Sequence, residues 1–446
     1  MSNRYECELK FALEDSNQYD YGPYNTNNYV HRFRREDSMT SSEVQPSTHS
    51  STPVPGSMPA VMSAAFVVTA VFVLSNSPTP LYVHWQQSIG FSSGMLTVIF
   101  GAYILGLLLT LLVAGQLSDH FGRPRVLLPG LVVALAASAL FLVADNVAML
   151  IVARLLTGIS VGVIVSAGMA SVVDAGGDTL RATAARLASV AMVLGAGLGP
   201  LFAGIMAQYL DEPVTWVFGA EALLIVIATI AVVRSRPLTN LAGIDDRGPF
   251  QLRLPSVPRR FRRYVLFGIA VFGPGITATS FVLSLGPSLL ARQLGVTSPL
   301  VAGGTACAMF LVATGVQFAV ARAQIRTIFI GGATSTAMSM LALYGAVQSD
   351  AAALLIFSAL LAGAGQGLGQ LGGLTLIGMH VPPTSRAQGN ALMNIGGYIP
   401  AGILPLVAGY LIDATSIPTA VTVFGVVLFL AAVAGGVAVA KSIEAA

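Results

Sequence analysis

Asp119, Arg123 and Arg125 lie within the stretch GQLSDHFGRPR at 115–125, between two long apolar runs of a chain in which only 10% of residues are charged. An acid and two guanidinium groups so placed suit ion pairing and the holding of helix ends. Asp119 can face the positive N-terminal end of a neighbouring helix, an interaction of about 0.3–1 kcal/mol when exposed and up to about 2 kcal/mol when partly buried. Gly115, one turn earlier, omits a side chain where that helix can approach a neighbour closely. Arg123 has a candidate partner in Asp174, which ends a later apolar run on the same side of the membrane. Together these residues could latch two parts of the molecule at one face. The alternative is that Arg123 and Arg125 only enforce topology.

Arg154 is a second candidate, a cation inside an apolar run, followed at helical spacing by Gly158 and Gly162. A guanidinium costs about 2.5 kcal/mol or more at the bilayer centre, so it either faces a partner or a wet cavity or snorkels to the nearby interface. Polar residues four apart share a helix face. Gln366 and Gln370 make one such stripe, Asn390, Asn394 and Tyr398 another, and Asn76 and Gln317 add single groups. They line a substrate cavity or bond neighbouring helices, a packing role worth about 0.6 kcal/mol on average. Gly195, Gly199, Pro200 and Gly204 combine a helix-kinking proline with glycines that make a flat packing face. Acids inside the apolar runs are nearly absent, Glu221 excepted, and no proton carrier is identified. A cavity with a cation and no certain carboxylate favours neutral, zwitterionic or anionic apolar compounds over strongly cationic ones. No Gly-rich phosphate loop ending in Lys-Ser/Thr is present, and the five His and two Cys have no metal-ligand spacing. Neither a metal nor another cofactor is expected.

Helices must carry these residues. The chain of 446 residues is 54% hydrophobic, more apolar than an ordinary soluble domain. Twelve runs reach the ~20 apolar residues that cross hydrocarbon as a helix. They centre near 59–80, 94–117, 126–144, 147–172, 183–208, 214–234, 264–290, 299–320, 327–347, 351–378, 387–411 and 415–440. A transmembrane barrel would show alternating strands of ~10 residues instead. The class is an all-α membrane protein with the lipid bilayer as its surroundings. With the N-terminus inside, all but Arg154 and Arg292 of the 23 Lys and Arg fall on cytoplasmic segments, as the positive-inside rule requires. Both termini are then cytoplasmic, in an inner or plasma membrane. The net charge of +3 reports topology and gives no reason to invoke nucleic acid. Trp85 and Trp216 fall at outer helix ends, as in an interfacial aromatic belt. Cys7 and Cys307 imply no disulfide framework. Residues 1–57 read as a disordered polar tail, and their composition admits a natural translation start at Met39 or Met58.

A basic linker, 235–263, divides the apolar region into halves of equal length, 58–234 and 264–440, with a short tail at 441–446. At a fixed offset of 205 residues, Gly90 meets Gly295, Gly158 meets Gly363, Gly162 meets Gly367, Gly168 meets Gly373 and Arg181 meets Arg386. Pro200-Leu-Phe-Ala-Gly204 likewise meets Pro405-Leu-Val-Ala-Gly409. Two six-helix repeats related by an axis along the membrane normal build one large class of secondary transporters, with the site between them near mid-membrane. A channel is more often a ring of identical subunits.

Over 58–440 the sequence resembles the major facilitator superfamily. The family's pattern Gly-x-Leu-x-Asp-x-x-Gly-Arg-x-Arg/Lys is matched by Gly115, Leu117, Asp119, Gly122, Arg123 and Arg125, with His120 where the family usually has Arg. The second-half counterpart, near Gly315 to Arg326, has lost the acid. The resemblance implies that Asp119 addresses helix 11 of the opposite half, near Arg386. Arg154 and Gly158 match the family's helix-4 pattern, whose Arg is linked to proton coupling or substrate contact. Gly195, Gly199, Pro200 and Gly204 resemble the helix-5 signature Gly-x-x-x-Gly-Pro-x-x-Gly-Gly found mainly in antiporters, which favours export. Ala203 replaces its penultimate Gly, and Arg186 stands where an earlier Gly is expected. Helices 3, 6, 9 and 12 lie outermost in the family, which gives Glu221 a structural role. The resemblance implies a fold of twelve helices in two pseudo-symmetric halves, as in drug:proton antiporters. It implies no enzyme but a monomer that exchanges small amphipathic substrates for protons. A carrier of a specific metabolite such as a sugar or amino acid is the alternative, and a transport-dead sensor or assembly partner the reading from another class.

Overall fold

Helix starts are written in the sequence. Pro124, Pro213, Pro299 and Pro383 stand in first turns, where a missing N–H leaves no bond unmade. Ser92, Asn146 and Ser298 accept the N–H three residues on, satisfying a donor the helix leaves free. The computed structural model describes residues 56–235, 254–320 and 322–444. Among them are twelve helices long and apolar enough to cross a membrane. The first half has α1 (Met58–Ile89), α2 (Ser93–Phe121), α3 (Arg123–Leu142), α4 (Val147–Ala175), α5 (Gly177–Tyr209) and α6 (Pro213–Arg234). The second has α7 (Arg259–Arg292), α8 (Pro299–Ala319), α9 (Ile325–Gln348), α10 (Ala352–His380), α11 (Pro383–Ala414) and α12 (Ile417–Ser442). Nearly all of the N-terminal tail, most of the basic linker and the last residues of the chain lie outside the described residues, as do Cys7 and Met39.

The architecture is that of two pseudo-symmetric six-helix halves. Within them α2 packs on α4, α1 on α5, α7 on α10 and α9 on α10. The main contacts between halves run through α1, α2 and α5 on one side and α7, α8 and α11 on the other. The repeat is visible in the packing: a Cβ on Gly158 would strike the α2 backbone, and one on Gly363 the α8 backbone. α4 contains a π-helical turn at Ile164–Gly168.

Two expectations are corrected. α1 does not stop near residue 80 but runs on to Ile89, because Pro78 and Pro80 open a new helical segment after a break at Ser77. Trp85 is not an interfacial anchor. It is 2% exposed and stacks on Phe141 and Phe218, whereas Trp216 is 59% exposed. A tryptophan at a helix end suits either setting, and only the facing helices decide which.

Candidate functional site

Pro78 and Pro80 lack the N–H groups that would reach the carbonyls of Leu74 and Asn76, so the hydrogen-bond ladder of α1 fails in mid-helix. Small polar groups occupy the break. Asn76 Nδ2 donates to Ser75 Oγ at 2.9 Å, Ser77 Oγ to the Val73 carbonyl at 2.8 Å, and Arg154 Nη1 to the Ser75 carbonyl at 2.7 Å. Arg154 is 0% exposed, which removes the snorkelling alternative. Its Cζ lies 4.8 Å from the Tyr103 ring centroid, 5.4 Å from Phe100 and 5.8 Å from Tyr82. Such faces attract a cation by up to about 2 kcal/mol each when water is excluded. Nε and Nη2 have no hydrogen-bond partner, and among the described residues no carboxylate pairs with the guanidinium.

Tyr103 and Phe100 also wall a cavity of about 120 Å³ between the halves. Asn76, Gln317, Gln366, Gln370 and Tyr398 converge on it from α1, α8, α10 and α11, and Tyr398 meets Phe272 edge-on at 6.3 Å. Gln366 Oε1 has no partner and is free for a ligand. Asn390 and Asn394 do not line the cavity: Asn394 Nδ2 donates to the Asn390 carbonyl at 3.0 Å within α11. Thr279, Ser280 and Thr314 do line it and were not singled out from the sequence, where the run Thr-Ala-Thr-Ser at 277–280 was the available signal. Drug-sized sites enclose about 300–1,000 Å³, so the cavity is contracted in this conformation. Arg154 stands one layer behind its aromatic wall.

Two seams join the halves, and both are tight at the face where α1 ends, termed here the opposite face. At one, Asp413 of α11 accepts the Ser93 and Gly94 N–H groups of α2 at 3.0 and 2.7 Å. At the other, Ser298 Oγ of α8 donates to Gln208 Oε1 of α5 at 2.7 Å. These contacts are repeats of each other, since Ser298 is Ser93 and Asp413 is Gln208 at the 205-residue offset. The match extends inward. A Cβ on Gly204 would sit 2.7 Å from the Pro299 carbonyl oxygen, and one on Gly409 2.8 Å from that of Ser93. Ser288 Oγ adds a bond to Gln86 Oε1 at 2.5 Å between α7 and α1. Gly195 and Gly199 face α1 within their own half, while Pro200 and Gly204 meet α8.

The terminal face, where α1 begins, holds the charged hinge. Gly122 takes φ +90°, a conformation that favours glycine, and turns α2 into α3. Arg123 Nη1 donates to Asp119 Oδ1 at 2.8 Å and to Ser118 Oγ at 2.7 Å, and its Nε to Asp174 Oδ2 at 3.1 Å. This cluster lies within the first half and is open to solvent, with the Asp119 side chain 73% exposed. Arg125 lies in the first turn of α3, exposed. In this conformation Gly115 is not a close-packing position, since a Cβ there meets nothing within 4 Å. The close approach of α2 to α11 occurs at the other end.

Twelve helices in two repeats, touching along α2–α11 and α5–α8 around a central cavity, define a multi-pass membrane protein. The Major Facilitator Superfamily profile matches residues 61–324 and 318–442, and the chain belongs to that family. It is 34% identical over 128 residues to the 3-(3-hydroxy-phenyl)propionate transporter of Escherichia coli K12, spanning 29% of this chain and 32% of that one. It is 29% identical over 163 residues to the multidrug transporter protein MdtP of Bacillus subtilis 168, spanning 36% and 29%. With the chloramphenicol resistance protein CraA of Acinetobacter baumannii it shares 24% over 234 residues, 51% and 55% of the two chains. These matches span from about a third to half of the relatives' length. A solved peptide transporter overlays with a TM-score of 0.66 at 16% identity, covering 87% of this chain and 96% of that one. The nucleoside transporter NupG gives 0.63 at 13%, covering 84% and 99%. At such identities the likeness is one of fold.

Proposed function

We propose that the protein is a secondary active transporter that exports small amphipathic, neutral or anionic compounds in exchange for protons. In this reading it works as a monomer in the plasma or inner membrane, with the terminal face cytoplasmic. The carrying observation is the cavity wall: aromatic rings and uncharged amides, no acid, and the unpaired guanidinium of Arg154 one layer behind. Rings and amides hold planar amphipathic cargo, and a buried positive charge disfavours a second one nearby. The multidrug and resistance proteins among the relatives support efflux, as does the Gly-Pro kink of α5. The hinge around Asp119 serves as the terminal-face latch that stabilises the outward-open conformation.

A second reading, a carrier dedicated to one metabolite, is favoured by the relative named for an aromatic propionate and by the suitability of Arg154 for a carboxylate. Counterflow and pH-gradient-driven uptake in proteoliposomes test both, with chloramphenicol, 3-(3-hydroxyphenyl)propionate and tetraphenylphosphonium as probes. Movement of the first two with a response to the pH gradient is expected. Preference for the permanent cation overturns the cargo assignment, and transport confined to the propionate favours the metabolite reading.

A further inference from the structure

One buried acid belongs to neither the cavity nor the seams. Glu221 of α6 is 0% exposed, and neither carboxyl oxygen has a hydrogen-bond partner. It lies about 12 Å along its helix from Pro213, at 1.5 Å per residue. One turn nearer the opposite face, Phe218 stacks on Phe141 of α3 and Trp85 of α1, with centroids 4.5 and 6.0 Å away. That stack closes the direct route to the opposite surface. On the other side is the break in α1. The Ser77 hydroxyl lies beside the carboxyl but is turned to the Val73 carbonyl, and the adjoining Asn76 lines the cavity.

Among the described residues no cation pairs with the Glu221 carboxyl. The helices packed on α6 are α1, α3 and α5. Arg123 and Arg125 of α3, and Asp178, Arg181, Arg186 and Tyr209 of α5, sit toward helix ends. On α1, His84 is near the end and Tyr82 faces Arg154. An unpaired ionised carboxylate in such surroundings costs several kcal/mol or more, so the neutral acid is the form that fits this pocket. Ionisable groups held inside a membrane at such cost mark proton and ion pathways.

We propose that Glu221, which stands outside the cargo cavity, carries the exchanged proton and passes it to that cavity through the Ser75–Ser77 break of α1. The proposal rests on the proton-coupled reading above. With the opposite face closed, a cavity water at Asn76 takes the proton. The carboxyl O–H bond breaks, the water becomes hydronium, and a carboxylate remains. Arg154, bonded to the same break and with Nε and Nη2 unpartnered, places a positive charge on that segment. When the opposite face opens, hydronium from that side returns the proton and water is released.

The test uses the full-length protein in proteoliposomes, with chloramphenicol and 3-(3-hydroxyphenyl)propionate as probes. pH-driven accumulation is compared with counterflow of the same probe. Glu221→Gln is expected to lower the ratio of accumulation to counterflow by about tenfold or more, and Glu221→Asp to restore it. A native ratio in Glu221→Gln overturns the proposal and leaves proton coupling standing. A native protein that ignores the pH gradient removes the coupled reading and the proposal with it. Loss of counterflow in both variants assigns Glu221 to packing and also overturns it. Infrared difference spectra give a readout independent of cargo: the native protein should show a protonated-carboxyl carbonyl band that Glu221→Gln lacks, and identical spectra overturn the assignment.

Discussion

Asp413 binds the start of a helix in the other half of the molecule, its two carboxylate oxygens accepting the Ser93 and Gly94 N–H groups at 3.0 and 2.7 Å. A negative charge at a helix N-terminus contributes about 1 kcal/mol when solvent-exposed, as Asp413 is. Asp413→Ala should therefore move the equilibrium toward the conformation open at the opposite face by about fivefold. Gln208→Ala, at the repeat-equivalent but neutral contact, should move it less. Distances between spin labels across the opposite face measure both, and equal shifts would show that the charge is immaterial.

The Asp119–Arg123–Asp174 cluster is exposed, and ion pairs of that kind contribute about 0–1 kcal/mol to stability. Arg123→Ala should leave the melting temperature nearly unchanged while altering the rate of conformational exchange. Thermal unfolding beside counterflow rates separates the two. A large loss of stability with unaltered exchange would make the cluster structural.

Replacing a buried, incompletely paired charge by an apolar side chain of similar length is often neutral or stabilising by about 1–4 kcal/mol. Arg154→Met should thus melt at or above the native temperature and yet transport about tenfold less. If Arg154→Met is both stable and fully active, the guanidinium has no part in coupling or cargo recognition.

Gly303 and Gly304 are neighbours with opposite expectations. A Cβ on Gly303 would overlap the Pro200 carbonyl of the other half, whereas one on Gly304 meets nothing within 4 Å. Gly303→Ala should cost about 1–3 kcal/mol by overpacking, with slowed exchange. Gly304→Ala should add about 0.5–1 kcal/mol from its better helix propensity. Differential scanning of the two purified variants in one detergent gives the comparison.

Much of this was legible because punctuating residues carry the fold. Long apolar runs set the helices, and the constant offset of Gly158, Arg181 and Pro200 from Gly363, Arg386 and Pro405 disclosed the repeat. Arg154 was conspicuous as a cation in an apolar run. The cavity wall was harder to read. In a bundle whose helices are apolar on every side, Phe100 and Tyr103 look no different from rings facing lipid. Asn390 and Asn394 shared a stripe with Tyr398, yet only Tyr398 reaches the cavity, because a four-residue spacing fixes a face and not what lies opposite it. Asp413 was not singled out, since its partner is more than 300 residues away in sequence.

The π-helical turn at Ile164–Gly168 sits between the two working residues of α4, Arg154 and Asp174. Such a turn inserts one residue into the helix, and one residue corresponds to about 100° of rotation. It acts as a phase shifter: upstream, α4 aims a cation into the protein's interior, and downstream it aims an acid at the α2–α3 hinge. An unbroken α-helix of the same number of residues would keep Arg154 in place and swing Asp174 about a quarter turn away from Arg123. The spacing of twenty residues between them is therefore set by two directions of sight as well as by the thickness of the membrane.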